Sequence, residues 1–235
     1  MSFQDGSSNT KKSTVYIALI TAILIIIGSV LVGFRDTTTQ NTPNAEPTPT
    51  NEESVQPIET KVPTEVPNAN ISTSNKAEFK FMTSEGEITI ESFPDKAPLT
   101  VNAIASLAQK KYFDNTICHR LTTSGIFVLQ CGDPTGTGAG NPGFSIPDEN
   151  LPESVENNYP AGTVAMANAG PGTSGSQFFL VYQDTTLGPN YTIWGKITNG
   201  LQIVQSIASK GVKDGATDGA PIQPVTIETA TVTIS

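Results

Sequence analysis

The most one-sided stretch of the chain comes early. Val15 to Phe34 (VYIALITAILIIIGSVLVGF) runs twenty residues without a charge. At about 1.5 Å per residue, a helix of that length spans roughly 30 Å, the hydrocarbon core of a bilayer. A buried core helix seldom runs so far without a polar face. The run also exceeds the apolar region of a signal peptide, and Val32-Gly33-Phe34-Arg35 makes a poor cleavage site. The pattern predicts an uncleaved signal-anchor over residues 15–34 behind a short cytoplasmic tail, residues 1–14. Lys11 and Lys12 precede the span, and only Arg35, beside Asp36, follows it closely. The positive-inside tendency then gives a single-pass cell-membrane protein with a cytoplasmic N-terminus and an extracytoplasmic C-terminal domain.

Residues 35–76 change character. They are rich in Thr, Asn, Glu and Pro (Pro43, Pro47, Pro49, Pro57, Pro63 and Pro67) and lack aromatic residues. Such a segment buries too little apolar surface to offset the entropy of ordering it. It reads as a disordered, semi-stiff linker.

From Ala77 to Ser235 the pattern is that of a folded domain. EFKFMTSEGEITIESF alternates apolar and polar residues on both sides of Glu85-Gly86, which predicts a hairpin. Pro98 opens a helix with Val101, Ile104, Ala105, Leu107 and Ala108 along one face. Short apolar runs at Thr163–Ala167, Gln177–Val181 and Tyr191–Ile197 read as strands. Leu201–Ser209 reads as a second helix stopped by Gly211, and the tail from Pro224 alternates as a last strand. Many short strands with turn signals and two helices predict a mainly β, closed or nearly closed antiparallel barrel.

Composition narrows the chemistry. The net charge of −9 argues against a nucleic-acid partner, which needs a basic patch. Two cysteines without C-x-x-C give neither a thiolate zinc site nor a thioredoxin-type redox site, and one histidine excludes multi-histidine metal sites. Gly138 to Gly143 matches the letters G-x-G-x-x-G, but Pro142 and Pro147 forbid the helix that motif needs. Gly172 to Ser176 falls one residue short of G-x-S-x-G.

The remaining chemistry gathers in residues 117–133, ICHRLTTSGIFVLQCGD. This stretch holds the only histidine, His119, both cysteines and Arg120 among apolar neighbours. Two β-type ends around Thr-Thr-Ser-Gly predict a hairpin.

Three blocks resemble one family. ICHRL with IFVLQCGDPTGTGAG resembles the cyclophilin pattern F-H-R-V-x-x-x-F-M-x-Q-G-G-D, with a turn two residues longer. AMANAGPGTSGSQFFLVY resembles its M-A-N-A-G-x-x-T-x-x-S-Q-F-F block, and LGPNYTIWGKITNGLQIVQSI its closing block. The resemblance covers residues 77–235 and is nearest to single-domain bacterial, actinobacterial-like members with a cysteine pair.

The resemblance implies an eight-stranded closed antiparallel barrel capped by two α-helices. It also implies peptidyl-prolyl cis/trans isomerase (rotamase) activity on proline-containing polypeptides with no cofactor. The anchor and linker make exported chains the expected substrates, the composition offers no metal site, and a monomer is expected. Carried over by position, Arg120 is the catalytic arginine. Phe127, Val128, Phe179 and Leu187 form the proline pocket, and Gln130 and Gln177 hold Arg120 and the substrate carbonyl. Ala167, Asn168 and Ala169 line the groove for residues before proline, with His119 and Tyr191 beside the site. Val128 replaces the usual methionine and Tyr191 a histidine common in eukaryotic members. Thr186 replaces the tryptophan that contacts cyclosporin, so tight cyclosporin binding is not expected.

Cys118 and Cys131 flank the hairpin turn symmetrically, six residues before Ser124 and six after Gly125. Two readings fit: a disulfide across adjacent strands in an extracytoplasmic compartment, or two buried thiols. The pocket departures also leave a second functional reading, a membrane-tethered proline-peptide binding module or holdase with weak catalysis.

Overall fold

The computed structural model describes residues 65–235. The expected cytoplasmic tail, transmembrane anchor and residues 35–64 of the expected linker lie outside the described residues.

The domain begins earlier than the composition change at Ala77 suggests. Ile71 is buried, and Val66 and Ala69 pack against the core. Asn102 pins the segment: its Oδ1 accepts from the Ile71 amide at 2.8 Å while its Nδ2 donates to the Ile71 carbonyl at 2.9 Å. A polar residue on the expected helix face thus recruits backbone that composition alone assigns to the linker.

β1 (Ala77–Thr83) and β2 (Gly86–Ser92) form the expected hairpin, with Phe79 opposite Ile90 and Phe81 opposite Ile88. α1 (Pro98–Gln109) follows, with proline in its first turn. Its first free amides, Leu99 and Thr100, donate to the Glu149 carboxylate at 3.0 and 2.8 Å. The helix buries Thr100 through Ala108 rather than a single face.

The 117–133 stretch divides between two partners. β3 (Thr116–Ile117) pairs with the last strand, whereas β4 (Arg120–Thr122) pairs with β5 (Val128–Cys131) in the expected hairpin. β6 (Thr163–Met166), β7 (Phe178–Val181) and β8 (Ile193–Asn199) come next, then α2 (Leu201–Ser209). A two-residue strand β9 (Asp218–Gly219) and the long β10 (Thr226–Ile234) finish the chain.

These make one sheet in the order β3-β10-β1-β2-β8-β6-β7-β5-β4-β9. The expected closed eight-stranded barrel is therefore corrected to an open ten-stranded sheet with two α-helices. Its end strands, β3 and β9, do not pair with each other. The ladder breaks at Cys118 and His119, where the chain leaves β10 and joins β5.

Strand alternation sorts side chains into two cores. On one side Phe79, Phe81, Phe113, Phe178 and Trp194 form an aromatic cluster, with Phe79 and Phe178 meeting Trp194 edge-on at 5.3 and 6.0 Å. On the other, Val128, Tyr159, Ala165, Phe179 and Val181 form a smaller cluster. Adjacent Phe178 and Phe179 face opposite ways, as their neighbouring positions on a strand require.

Candidate active site

The smaller cluster is the floor of a cavity. β5 and β7 pair with Gln130 opposite Phe179 and Val128 opposite Val181, and β6 places Ala165 on the other side of Phe179. Val128, Phe179, Leu187 and Tyr191 wall a cup of about 170 Å³ with Ile126, and Arg120, Gln130, Ala167 and Asn168 form the rest of its lining. A second hollow of about 260 Å³ shares Gln130, Ala167 and Asn168 with the cup and adds Ala169, Gln177 and the 138–142 loop. Together they make one groove.

Fixed polar groups hold its apolar walls. Asn158 clamps the Leu187 backbone, donating to its carbonyl at 2.8 Å and accepting from its amide at 3.0 Å. Tyr159 holds Tyr191 in the same way: its hydroxyl accepts from the Tyr191 amide and donates to the Tyr191 carbonyl, both at 3.1 Å. Burial pushes the Tyr159 phenol up to about 12, so this clamp stays protonated. The Tyr191 ring meets Phe179 edge-on at 5.5 Å.

Arg120 sits at the rim in a chain of directed bonds. Its Nη1 donates to Gln130 Oε1 at 3.1 Å, and Gln130 Nε2 donates to Gln177 Oε1 at 2.9 Å. Gln177 Nε2 donates in turn to the carbonyls of Gly138 and Gly140 at 2.9 and 3.0 Å. On its other edge Arg120 donates from Nε and Nη2 to the Asp218 carboxylate at 2.7 and 2.8 Å. That pairing holds the guanidinium pKa above its ordinary value against partial burial, and holds the Asp218 carboxyl below the usual carboxylate range.

The structure brings together most of the expected site: Arg120, Val128, Gln130, Ala167, Asn168, Ala169, Gln177, Phe179, Leu187 and Tyr191. Two residues fall elsewhere. Phe127 does not line the groove; its ring packs against the larger core at 6.0 Å from Tyr182, edge-on. Positions 126, 128 and 130 share a face, so Ile126 takes the place expected for Phe127. His119 lines neither hollow. It lies half-buried under Gly138, and its Nδ1 is buried without a partner. Burial lowers its pKa and the neighbouring Arg120 adds to this, against the opposing pull of Asp133.

The cysteines resolve into one of their two readings. Cys118 and Cys131 form a disulfide, with Cα atoms 4.0 Å apart. It ties the break between β3 and β4 to the end of β5, beside Gln130.

Two residues were missed. Asp218 lies 98 residues from Arg120 in a Gly/Asp-rich loop with no periodic pattern. Ile126 falls on the groove face by alternation back through Val128 from Gln130.

Residues 78–232 match the family model for cyclophilin type peptidyl-prolyl cis-trans isomerase/CLD. The chain is 41% identical over 199 residues to a probable peptidyl-prolyl cis-trans isomerase B of Mycobacterium tuberculosis, covering 78% of this chain and 62% of that protein. It is 46% identical over 157 residues to the probable isomerase B of Mycobacterium leprae, covering 62% of this chain and 53% of the relative. The chain thus spans less than two thirds of the length of either. Among solved structures it is similar to a Cryptosporidium parvum cyclophilin type peptidyl-prolyl cis-trans isomerase crystallised in the presence of the dipeptide ala-pro. That likeness has a TM-score of 0.58 at 28% identity, over 66% of this chain and 98% of that one.

Proposed function

The chain belongs to the cyclophilin-type peptidyl-prolyl cis-trans isomerase family, and from that premise we propose that it accelerates X–Pro isomerisation in exported polypeptides. One observation carries the reading: a single cation, oriented by hydrogen bonds, at the rim of an apolar cup.

Rotation about an X–Pro bond is slow because it breaks amide resonance. Near the top of the barrier the proline nitrogen becomes pyramidal and regains a lone pair. Arg120 donates to that nitrogen. It is always charged and rigidly forked, so no proton changes hands. Val128, Phe179, Leu187 and Ile126 hold the proline ring while the preceding carbonyl swings, and they exclude water, which strengthens the field of the guanidinium. Asn168 and Ala169 offer backbone to the residues before proline. All the residues of the groove come from one chain, which supports a monomeric working unit.

The domain acts outside the cytoplasm on a membrane anchor, residues 15–34. The uncharged twenty-residue run and the preceding Lys11 and Lys12 support this. The disulfide fits an oxidising compartment.

The test of activity is acceleration of cis/trans conversion in a proline peptide by the full-length chain in detergent, beside Arg120→Ala. Binding without acceleration sinks the enzyme reading in favour of a binding module, and a fully active Arg120→Ala sinks the mechanism. For location, protease added to intact cells should remove the domain; protection reverses the orientation.

A further inference from the structure

The mechanism uses Arg120 for its direction as much as for its charge. Within the 117–133 stretch, Gln130 fixes only the Nη1 end of the guanidinium. The Nε edge is fixed from far away in sequence. Asp218 accepts from both Nε and Nη2, a two-point pairing that sets the plane of the group as well as its position.

Asp218 is itself placed by backbone. β9 pairs with β4, Asp218 opposite Thr122 and Gly219 opposite Leu121, so the carboxylate lies beside the strand that carries Arg120. The flanking loop is tied at both sides. The Thr123 amide donates to the Thr217 carbonyl at 2.8 Å, and the Lys213 amide to the Ala220 carbonyl at 2.9 Å. Gly219 takes a φ of 151°, a conformation that suits glycine, with Val212 3.2 Å from where a Cβ would stand.

The pair has little to offer the fold. Its side chains are 38% and 55% exposed, and ion pairs so open to water contribute little to stability. What it does determine is which donors remain. Three of the five N–H groups of the guanidinium are committed, to Asp218 and Gln130, leaving two for a substrate.

We propose that Asp218 is a positioning residue for isomerisation: it locks the guanidinium plane of Arg120 so that the two uncommitted N–H groups meet the proline nitrogen. This rests on the Arg120-centred isomerase reading. Without the carboxylate the side chain rotates away from its working direction, while the apolar cup that binds the proline ring is unchanged. The loss should therefore fall on kcat rather than KM.

The experiment compares wild type, Arg120→Ala, Asp218→Ala and Asp218→Glu as full-length chains, with Glu91→Ala as a control. The control breaks the exposed Lys196–Glu91 pair on the sheet and should leave activity unchanged. Asp218→Ala should lower kcat about tenfold with KM moved less than about twofold, and Asp218→Glu should recover part of the loss. The Arg120 Nε–H resonance should be sharp and slow to exchange in wild type and in Asp218→Glu, and lost in Asp218→Ala. An inactive wild type overturns the isomerase reading itself. An active wild type, an inactive Arg120→Ala and an Asp218→Ala with full kcat overturn the role of Asp218 alone. A loss of kcat that comes with a fall in Tm and is not recovered by glutamate also overturns it.

Discussion

Gln130 stands opposite Arg120 in the β4–β5 pairing, and its side-chain carbonyl accepts the Nη1–H of the guanidinium at 3.1 Å. That contact fixes the sense of everything behind it. Because Gln130 accepts from Arg120, its Nε2 donates to Gln177, and Gln177 must donate to the carbonyls of Gly138 and Gly140. Gln130→Ala frees one end of the guanidinium and leaves the Gln177 carbonyl without its donor. The expected outcome is a fall in kcat/KM of about tenfold, or about 1.4 kcal/mol of transition-state stabilisation. Steady-state isomerisation kinetics check it.

Ile126, not Phe127, should take the pocket role that letter matching assigns to Phe127. Ile126 lines the cup, so Ile126→Ala should raise KM for a proline peptide several-fold with little change in Tm, since its side chain is only partly buried. Phe127 packs against Tyr182 and the larger core, so Phe127→Ala should leave KM near wild type and cost about 1–3 kcal/mol of stability, below the full core value. Peptide titration and urea unfolding of the two variants separate these outcomes.

The same two residues mark where sequence was readable. Regular alternation made the β1–β2 hairpin legible, because a period of two is a physical signal, and the turn-forming Thr-Thr-Ser-Gly cluster between two β-type ends did the same for the β4–β5 pairing. Phe127 matches the family letter, but facing counted back from Gln130 turns it toward the larger core. The open sheet was not legible because the first β-type end of the 117–133 stretch divides at Cys118 and His119 between two partners, and nothing in its composition marks that change. Asp218 was invisible for another reason: a contact made across 98 residues by a two-residue strand leaves no local pattern. Ile71 was hidden inside a proline-rich composition, its burial decided by Asn102 on a different element.

Reducing the Cys118–Cys131 bridge should cost stability. It closes a loop with a sequence separation of 13, for which the chain-entropy account gives about 3 kcal/mol. In a domain of this size that lowers Tm by roughly 6–12 °C. Thermal unfolding with and without a dithiol reductant measures it, and thiol titration of the denatured, unreduced chain should find no reactive thiol. Two titrating thiols there exclude the bridge.

Asp133 gives the acid sensitivity of the groove its sign. The residue is fully buried, and burial alone would raise its pKa. Four hydrogen bonds more than offset this: its oxygens accept from the Thr135 amide and hydroxyl and from the amides of Gly138 and Gly140. The carboxyl is held at about 2, below its ordinary 3.8. A group with a depressed folded pKa stabilises the fold above its unfolded value and loses that contribution as pH falls through the folded one. The contribution is thus complete above about pH 4 and disappears toward pH 2. A difference of nearly two units corresponds to about 2.5 kcal/mol. Other carboxylates titrate in the same window, so the informative quantity is the difference between variants. Asp133→Asn, which turns an acceptor into a donor facing backbone N–H groups, should be less stable than wild type at pH 6 and converge with it by pH 2 in urea unfolding. Gly140→Ala tests the same loop without changing its formal charge, because a Cβ there would displace the Asp133 carboxylate from its donors. Since the Gly138 and Gly140 carbonyls seat Gln177, both variants should also lose isomerase activity at neutral pH. An Asp133→Asn chain that keeps wild-type stability across the whole range would show that the loop is held by something other than this carboxylate.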